Sequence, residues 1–492
     1  MSEHSDAERH PNDVDLTETH VVTVFLRNRS DVLLLKRSDA VGSYSGRWGA
    51  VAGHAEGETR PGRAPRKRER GVCAAKRTLS DGDPDDAALE EIREETGLDA
   101  AADTTLVRRG DSFEVTDADL GKRWLVHPYL FDCDSRHIEP NEETADFEWA
   151  PPTAILRRET VPDLWTSYDR VRPTAETVAA DRDHGSASLS VRALEVLRDE
   201  AALAVEGVDG EGAAEETATG DGTTERSWAD LTAVARTLLE ARPSMAVVTN
   251  RVNRAVHAAG ESVTAAALET AANEGIDRAL DADDTAAATA AGRLPDRVAT
   301  LSRSGTVADA VERAAPTAVL VAESRPGREA VGTAERVAER TNANVTLTTD
   351  AALAEQLVTF DVAALVVGAD TVLPDGSVLN KVGTRAAATA AASEGIDRLV
   401  VAASDKIAPA DGDRGDAAAD RSVGPEDRSV DREQRDPAEL YDGDADLHVA
   451  NPTFDVTPAD RVDALVTERG VLDADEVRTV AAEHRTLSEW DE

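Results

Sequence analysis

Four short apolar runs, Thr317–Glu323, Val345–Leu347, Val362–Gly368 and Leu399–Ala403, alternate with alanine-rich segments of helical period. Strands that are apolar at nearly every position are buried on both faces, and strands joined through helices run parallel. The region 316–492 is therefore expected to form a doubly wound parallel sheet whose ligands sit at the C-terminal ends of its strands. Ahead of it, Leu231, Val234, Ala235, Leu238 and Leu239 recur with a 3.6-residue period, and Arg242-Pro243-Ser244-Met245 opens another helical stretch. Residues 227–315 are accordingly expected to be helical.

A chain of 492 residues is too long for one ordinary core, so two domains are expected. Between Glu206 and Arg226 the composition of Gly, Glu, Thr and Asp cannot bury a core, which predicts a flexible acidic linker over 205–226. It separates a first domain, 18–204, from a second, 227–492. Ser188–Ala204, with Leu189, Val191, Leu194, Val196 and Leu197, is the last helix of the first domain or a bridge to the linker. Residues 1–17 form a polar, acidic tail, and 409–446, rich in Asp, Arg, Gly and Ala, is an acidic surface insertion that splits the second domain.

Asp and Glu total 96 against 54 Lys and Arg, of which six are Lys, for a net charge of -42. The acid is spread along segments that keep clear apolar periodicity, as expected of a folded chain adapted to high intracellular salt. It excludes general nucleic-acid binding. The only basic cluster is Arg63, Arg66, Lys67, Arg68 and Arg70, in a loop expected to be solvated. Two cysteines, Cys73 and Cys133, form neither a disulfide framework nor a zinc set, so a reducing cytoplasm is expected. No apolar run approaches membrane-spanning length, and the N-terminus lacks a signal-like core.

The sharpest chemical signal is Ala87–Leu98, which reads Ala-Ala-Leu-Glu-Glu-Ile-Arg-Glu-Glu-Thr-Gly-Leu. On a helix, residues i, i+3 and i+4 share a face, so Glu91, Glu94 and Glu95 are expected to converge while Ile92 and Leu98 pack elsewhere. Carboxylates this close repel, and a hard divalent cation relieves the repulsion. Asp83-Pro84-Asp85 supplies a cap, a first-turn proline and acid at the positive end of the helix dipole. Upstream lie the strand-like Val21–Leu26 and Val32–Leu35 and the turn Gly53-His54-Ala55-Glu56-Gly57-Glu58. Arg60–Asp83, without apolar periodicity, predicts an exposed loop inserted over 60–83, tolerable because closure cost grows slowly with length.

Glycine turn, acidic helix and glycine stop together resemble the Nudix box, whose pattern is Gly, five residues, Glu, seven residues, then Arg-Glu-aliphatic-any-Glu-Glu-any-Gly-aliphatic. Glu91, Ile92, Glu94, Glu95, Gly97 and Leu98 match its second half. Glu90 stands where the family has arginine, the Gly53 to Glu58 spacing is one residue short, and the inserted loop splits the box. Arg123–Phe131, which alternates like a half-buried strand, and Glu142–Trp149 resemble the Nudix strand layout. The resemblance implies an α/β/α sandwich and hydrolysis of a nucleoside diphosphate linked to another moiety. Magnesium or manganese (Mg2+ or Mn2+) held by Glu91, Glu94 and Glu95, with Glu58 completing the shell, would polarise a water for attack at phosphorus, and Glu142 or Glu143 would act as base.

A second resemblance rests on Arg242-Pro243-Ser244, Glu323-Ser324-Arg325-Pro326, Gly368–Gly376, Asn380-Lys381-Val382-Gly383-Thr384 and Asn451–Pro458. In this order they resemble the superfamily that joins translation initiation factor 2B alpha, beta and delta subunits with methylthioribose-1-phosphate and ribose-1,5-bisphosphate isomerases, over roughly Ser227–Gly470. A Rossmann-like sheet is implied, with a phosphorylated sugar or nucleotide bound near it and a homo-oligomeric chain. Arg242, Arg325 and Lys381 offer cations, Asn380 an amide, Gly383 and Thr384 backbone donors at a helix start, and Asp370 a carboxylate at a strand end. In the isomerases a cysteine and an aspartate move protons. Asp370 matches the aspartate, while Ser302, within Thr300–Gly305, takes the cysteine's place and is far less acidic.

Three functions follow. The adopted one is a Nudix hydrolase whose second domain binds a phosphorylated metabolite or oligomerises. The alternatives are a non-catalytic, initiation-factor-like regulator with a degenerate Nudix domain, favoured by Glu90 and the split box, and a sugar-phosphate isomerase, opposed by Ser302.

Overall fold

The computed structural model describes residues 17–55, 83–208, 226–410 and 431–491. They fall into two compact units, the first ending at Arg172 and the second beginning at Pro173. Glu58, Cys73, the basic cluster, the inserted loop up to residue 82, the tail up to residue 16 and linker residues 209–225 lie outside the described residues.

In the first unit β1 (Thr17–Asn28), β2 (Asp31–Arg37), β3 (Trp48–Gly49), β4 (Val51–His54), β5 (Thr104–Arg109), β6 (Phe113–Asp117), β7 (Lys122–Cys133) and β8 (Thr144–Ala150) form one mixed sheet. Only β1 and β7 pair in parallel, with Val22 beside His127 and Val24 beside Tyr129. Alternation along β1 sends Val22, Val24 and Leu26 to one face, where they pack with Val51, Tyr129, Ala88 and Ile92. Phe25 goes to the other face with Leu34, Leu130, Leu164 and Tyr168. A helix thus covers each face, the α/β/α sandwich expected.

The helix Pro84–Thr96 begins and ends on local chemistry. The Asp83 side chain accepts the Asp85 N–H at 3.1 Å, and Pro84 occupies the first turn. Gly97, at φ 75°, turns left-handed and donates its N–H to the Arg93 carbonyl at 3.1 Å. Arg109 and Tyr129 grip Asp85 from the sheet, at 2.6 and 2.9 Å. The start of the helix is therefore fixed to β5 and β7.

After a short helix, Ala175–Ala180, the second unit continues with helices Ser186–Glu206, Trp228–Ala241, Ala246–Gly260 and Ala265–Ala291. Leu189, Leu194 and Leu197 of Ser186–Glu206 share a core with Leu231, Leu238, Val248, Val252, Leu268 and Ile276 of the three helices after it. This corrects the expected boundary at 204. The stretch Ser188–Ala204 buries its apolar stripe among later helices, so it belongs to the second unit rather than the first.

Beyond them lie β9 (Arg297–Leu301), β10 (Ala318–Ala322), β11 (Asn344–Thr348), β12 (Ala364–Val367), β13 (Thr371–Val372), β14 (Val378–Lys381), β15 (Asp397–Val401), β16 (Phe454–Thr457), β17 (Ala464–Thr467) and β18 (Gly470–Leu472). Seven make a sheet in the order β11-β10-β9-β12-β15-β17-β18, parallel except for β18, and β13-β14-β16 form a small antiparallel sheet. The large sheet starts at Arg297, inside the region expected to be purely helical, because the run Arg-Val-Ala-Thr-Leu is too short and too alanine-like to stand out. Val319, Val321, Val366 and Val401 face one layer of helices, and Leu320, Leu365, Val367 and Val400 face the other. Strand order reverses between β9 and β12, which opens a crevice at their C-terminal ends. Among the described residues, no helix is long and apolar enough to cross a membrane.

Candidate functional site

In the first unit, Glu91 and Glu95 lie one turn apart and face β4. The Glu91 carboxylate presses on the Gly53 backbone, so that a Cβ on Gly53 would stand 1.8 Å from Oε1. A side chain at position 53 would have to push that carboxylate aside. Glu95 is 7% exposed, and its Oε2 accepts the Ala52 N–H at 3.2 Å. Burial pushes the Glu95 carboxyl up to about 8, and the neighbouring Glu91 charge adds to the push. The Ala52 hydrogen bond and Arg37 oppose this, and Glu143 adds to it, so Arg37 and Glu143 stand around the same carboxyl. The sequence singled out Glu143 but not Arg37.

Glu94 does not join them. Successive helical residues are about 100° apart, which puts Glu94 and Glu95 on opposite sides of Glu91. Glu94 is exposed and lies 3.8 Å from Arg93, whose other partner is Glu90 at 2.7 Å. The expected trio is therefore a pair. Among the described residues, no group of three or more His, Cys, Asp or Glu could hold a metal ion. What remains is a buried carboxylate beside a second one, against glycine backbone, and two acidic oxygens so placed suit a hard divalent cation. Ser38 fixes the backbone carrying the candidate bases, donating its hydroxyl to the Glu142 carbonyl and its N–H to the Glu143 carbonyl, both at 2.8 Å.

In the second unit, Ser302 follows β9 and Asp370 follows β12, so the two flank the crevice where strand order reverses. The Asp370 N–H donates to the Leu379 carbonyl at 2.9 Å, which sets it beside Asn380 and Lys381 on β14. Thr371 ties the same spot to the Arg242 loop, donating its hydroxyl to the Ser244 carbonyl at 2.8 Å. Ser302 adopts φ 68° and donates its N–H to the Ser324 hydroxyl at 2.7 Å.

Lys406, after β15, belongs to this cluster and was not read from the sequence. Its buried Nζ donates to the Ala369 carbonyl at 2.6 Å. Burial pushes the ammonium down, while Asp370 and Asp283 pull it back up and Arg251 pushes it further down. The rule that ligands gather at strand C-terminal ends points to Ser404-Asp405-Lys406 as it does to Asp370. Asp405 anchors that turn through Arg251 at 3.1 Å and Arg254 at 2.6 Å, with buried His484 beside it. Burial alone would raise the Asp405 carboxyl, but His484, Arg251 and Arg254 hold it well below the usual range.

Other expected phosphate ligands are engaged elsewhere. Arg325 is 67% exposed and points to Glu323 at 3.4 Å, away from the cluster. Gly383, at φ 105°, and Arg385 give their N–H groups to Asp455, at 2.8 and 3.1 Å, so a carboxylate already caps the helix start. Burial pushes the Asp455 carboxyl up to about 6 despite those bonds. Asn380 donates to the Thr384 hydroxyl at 3.0 Å, and Thr384 to the Lys381 carbonyl at 2.6 Å, which turns both inward. Lys381 Nζ lies 2.5 Å from Glu329. Arg242 binds Glu433, which lies within the stretch expected to be a surface insertion. Glu433 therefore reaches the buried Arg242 from a stretch whose other described residues are mostly exposed.

Residues 182–474 match the model of the Initiation factor 2 subunit family, and residues 17–171 match that of the NUDIX domain. A ribose 1,5-bisphosphate isomerase from Haloferax volcanii is 32% identical over 317 residues, covering 61% of this chain and 90% of the relative. A methylthioribose-1-phosphate isomerase from Pseudomonas syringae pv. tomato is 37% identical over 142 residues, covering 28% of this chain and 36% of the relative. Among solved structures, translation initiation factor eIF-2B from Pyrococcus horikoshii OT3 aligns with a TM-score of 0.47 at 22% identity, over 61% of this chain and 94% of that one.

Proposed function

The chain belongs to the initiation factor 2 subunit family and carries a NUDIX domain ahead of that region, and from this premise we propose that the NUDIX domain is a metal-dependent hydrolase of a nucleoside diphosphate-linked substrate. The observation that carries the proposal is the seating of Glu91 and Glu95 together against Gly53 and Ala52. These two carboxylates would hold magnesium or manganese, which supplies Lewis-acid polarisation of phosphoryl oxygen. Glu95 is oriented by the Ala52 N–H, and Glu91 by its fit over glycine. Arg37 brings positive charge to a diphosphate. Glu143 accepts the proton of a water that attacks phosphorus, and the anhydride P–O bond breaks with departure of a phosphomonoester anion. In molar potassium chloride with either metal, release of a nucleoside monophosphate or phosphate is expected, lost in Glu91→Gln and in Glu95→Gln. Full turnover in both variants overturns the proposal.

A second reading concerns the initiation-factor-like region, which we propose binds a phosphorylated sugar at Asp370, Lys406, Lys381 and Arg242. Support comes from the cations and carboxylate grouped at the switch point, and from an isomerase of a ribose bisphosphate as a relative covered over 90% of its length. Binding, rather than rapid isomerisation, is the expected behaviour because Ser302 offers a hydroxyl where a thiol would ionise more readily. Ribose 1,5-bisphosphate should raise the melting temperature of the full chain, and no shift at saturating ligand would sink the reading.

A further inference from the structure

Arg242, the cation that this second reading needs, is already paired within its own chain. It is 3% exposed, and its terminal nitrogen NH2 lies 3.2 and 3.0 Å from the two carboxylate oxygens of Glu433, with Nε 3.3 Å from Oε1. The Ser244 hydroxyl donates to the same carboxylate, and the other terminal nitrogen donates to the Asp181 carbonyl. An arginine fork and a hydroxyl converging on two oxygens is the arrangement that a phosphate monoester would receive. Here a glutamate fills it.

The way Glu433 arrives is equally specific. Asp431, Arg432 and Gln434 around it are exposed, yet its own side chain is only 13% exposed. Its backbone is left-handed at φ 43°, a conformation that side-chain-bearing residues rarely adopt unless their surroundings impose it. Two hydrogen bonds limit how far the segment can travel, from the Thr453 N–H to the Glu433 carbonyl at 2.7 Å and from the Arg435 N–H to the Asn451 carbonyl at 2.8 Å. The neighbouring cation is treated alike. Lys381 meets Glu329 at 2.5 Å, and Arg435, two residues beyond Glu433, reaches the same Glu329 at 3.4 Å.

We propose that Glu433 is a built-in competitor for anions and that the segment bearing it is an autoinhibitory strap. The carboxylate has to leave Arg242 and Ser244 before a phosphate ester can take its place. This inference rests on the reading of the region as a sugar-phosphate binder. Removing one partner of a buried ion pair leaves the other uncompensated, and an incoming anion relieves that cost. Loss of the Glu433 charge should therefore tighten anion binding.

The test is titration calorimetry of the full chain with inorganic phosphate, in metal-free buffer. Glu433→Gln should bind phosphate on the order of tenfold more tightly than the parent. The gain should vanish in the double variant Glu433→Gln with Arg242→Gln. Unchanged or weaker binding in Glu433→Gln, with binding lost in Arg242→Gln, overturns the strap and leaves the phosphate seat standing. Equal binding by the parent and Arg242→Gln overturns the sugar-phosphate reading and the strap together. A measurement that needs no variant is hydrogen exchange of the parent: the Arg435 and Thr453 amides should lose protection at saturating phosphate, and unaltered protection counts against the strap.

Discussion

Glu91 occupies the space that a side chain on residue 53 would need, its carboxyl carbon lying 2.0 Å from where a Cβ on Gly53 would stand. Gly53→Ala should displace that carboxylate while leaving the sheet intact, since the obstructing atoms end a flexible side chain. Misplacement of about 1 Å at a reacting centre can cost 100-fold in rate. Metal-dependent hydrolysis should fall by about that factor in kcat/KM with little change in melting temperature, measured side by side in molar salt.

Asp455 couples stability to pH. Its folded carboxyl, at about 6, holds a proton more tightly than an unfolded aspartate does. The stabilisation is therefore fully present below about pH 4 and is lost as pH rises through about 6, amounting to roughly 3 kcal/mol at most. Urea unfolding between pH 4 and 7 should show this decline, and Asp455→Asn should flatten it. An unchanged slope in the variant would remove Asp455 as its source.

Ser302 bounds the chemistry available at the switch point. A thiol there ionises several pH units below a hydroxyl, so Ser302→Cys should raise conversion of ribose 1,5-bisphosphate to its ketose isomer by at least about tenfold over the parent. Adding Asp370→Asn should remove the gain, which can be followed by proton NMR of the sugar. No gain in Ser302→Cys would mean that the geometry, and not the missing thiol, prevents isomerisation.

Asp405 joins the turn bearing Lys406 to Arg251 and Arg254 of the helix Ala246–Gly260. Asp405→Ala leaves a buried guanidinium without its carboxylate, a change that typically costs about 3–5 kcal/mol. Denaturant unfolding of the full chain should register a loss of that size. A loss below about 1 kcal/mol would show that Asp283, the other carboxylate on Arg251, suffices alone.

What could be read from the amino acids was local. Asp83, Pro84 and Gly97 mark the ends of the acidic helix because each acts on backbone within a few residues of itself. Doubly wound topology was equally legible, since strands such as Ala364–Val367 are apolar throughout. Helical spacing overreached with Glu94, because residues that share a broad face can still straddle its midline. β9 was missed for lack of contrast with the alanine-rich helices around it. Least legible were the partners: Glu329 meets Lys381 across 52 positions and Glu433 meets Arg242 across 191, and no local pattern encodes such pairings. Arg325 had the right motif and strand end, but its side chain turns outward.

β14 and β16 are zipped with Asn380 opposite Asp455, and that register holds the Asp455 carboxylate over the Gly383 and Arg385 N–H groups. Side chains on a strand alternate between its two faces, so a slip of one residue would swing Asp455 to the other side and uncover the start of the helix Thr384–Glu394. A single zipper of four residue pairs thus decides whether that helix end meets a carboxylate from its own chain or stands open to an anion from outside.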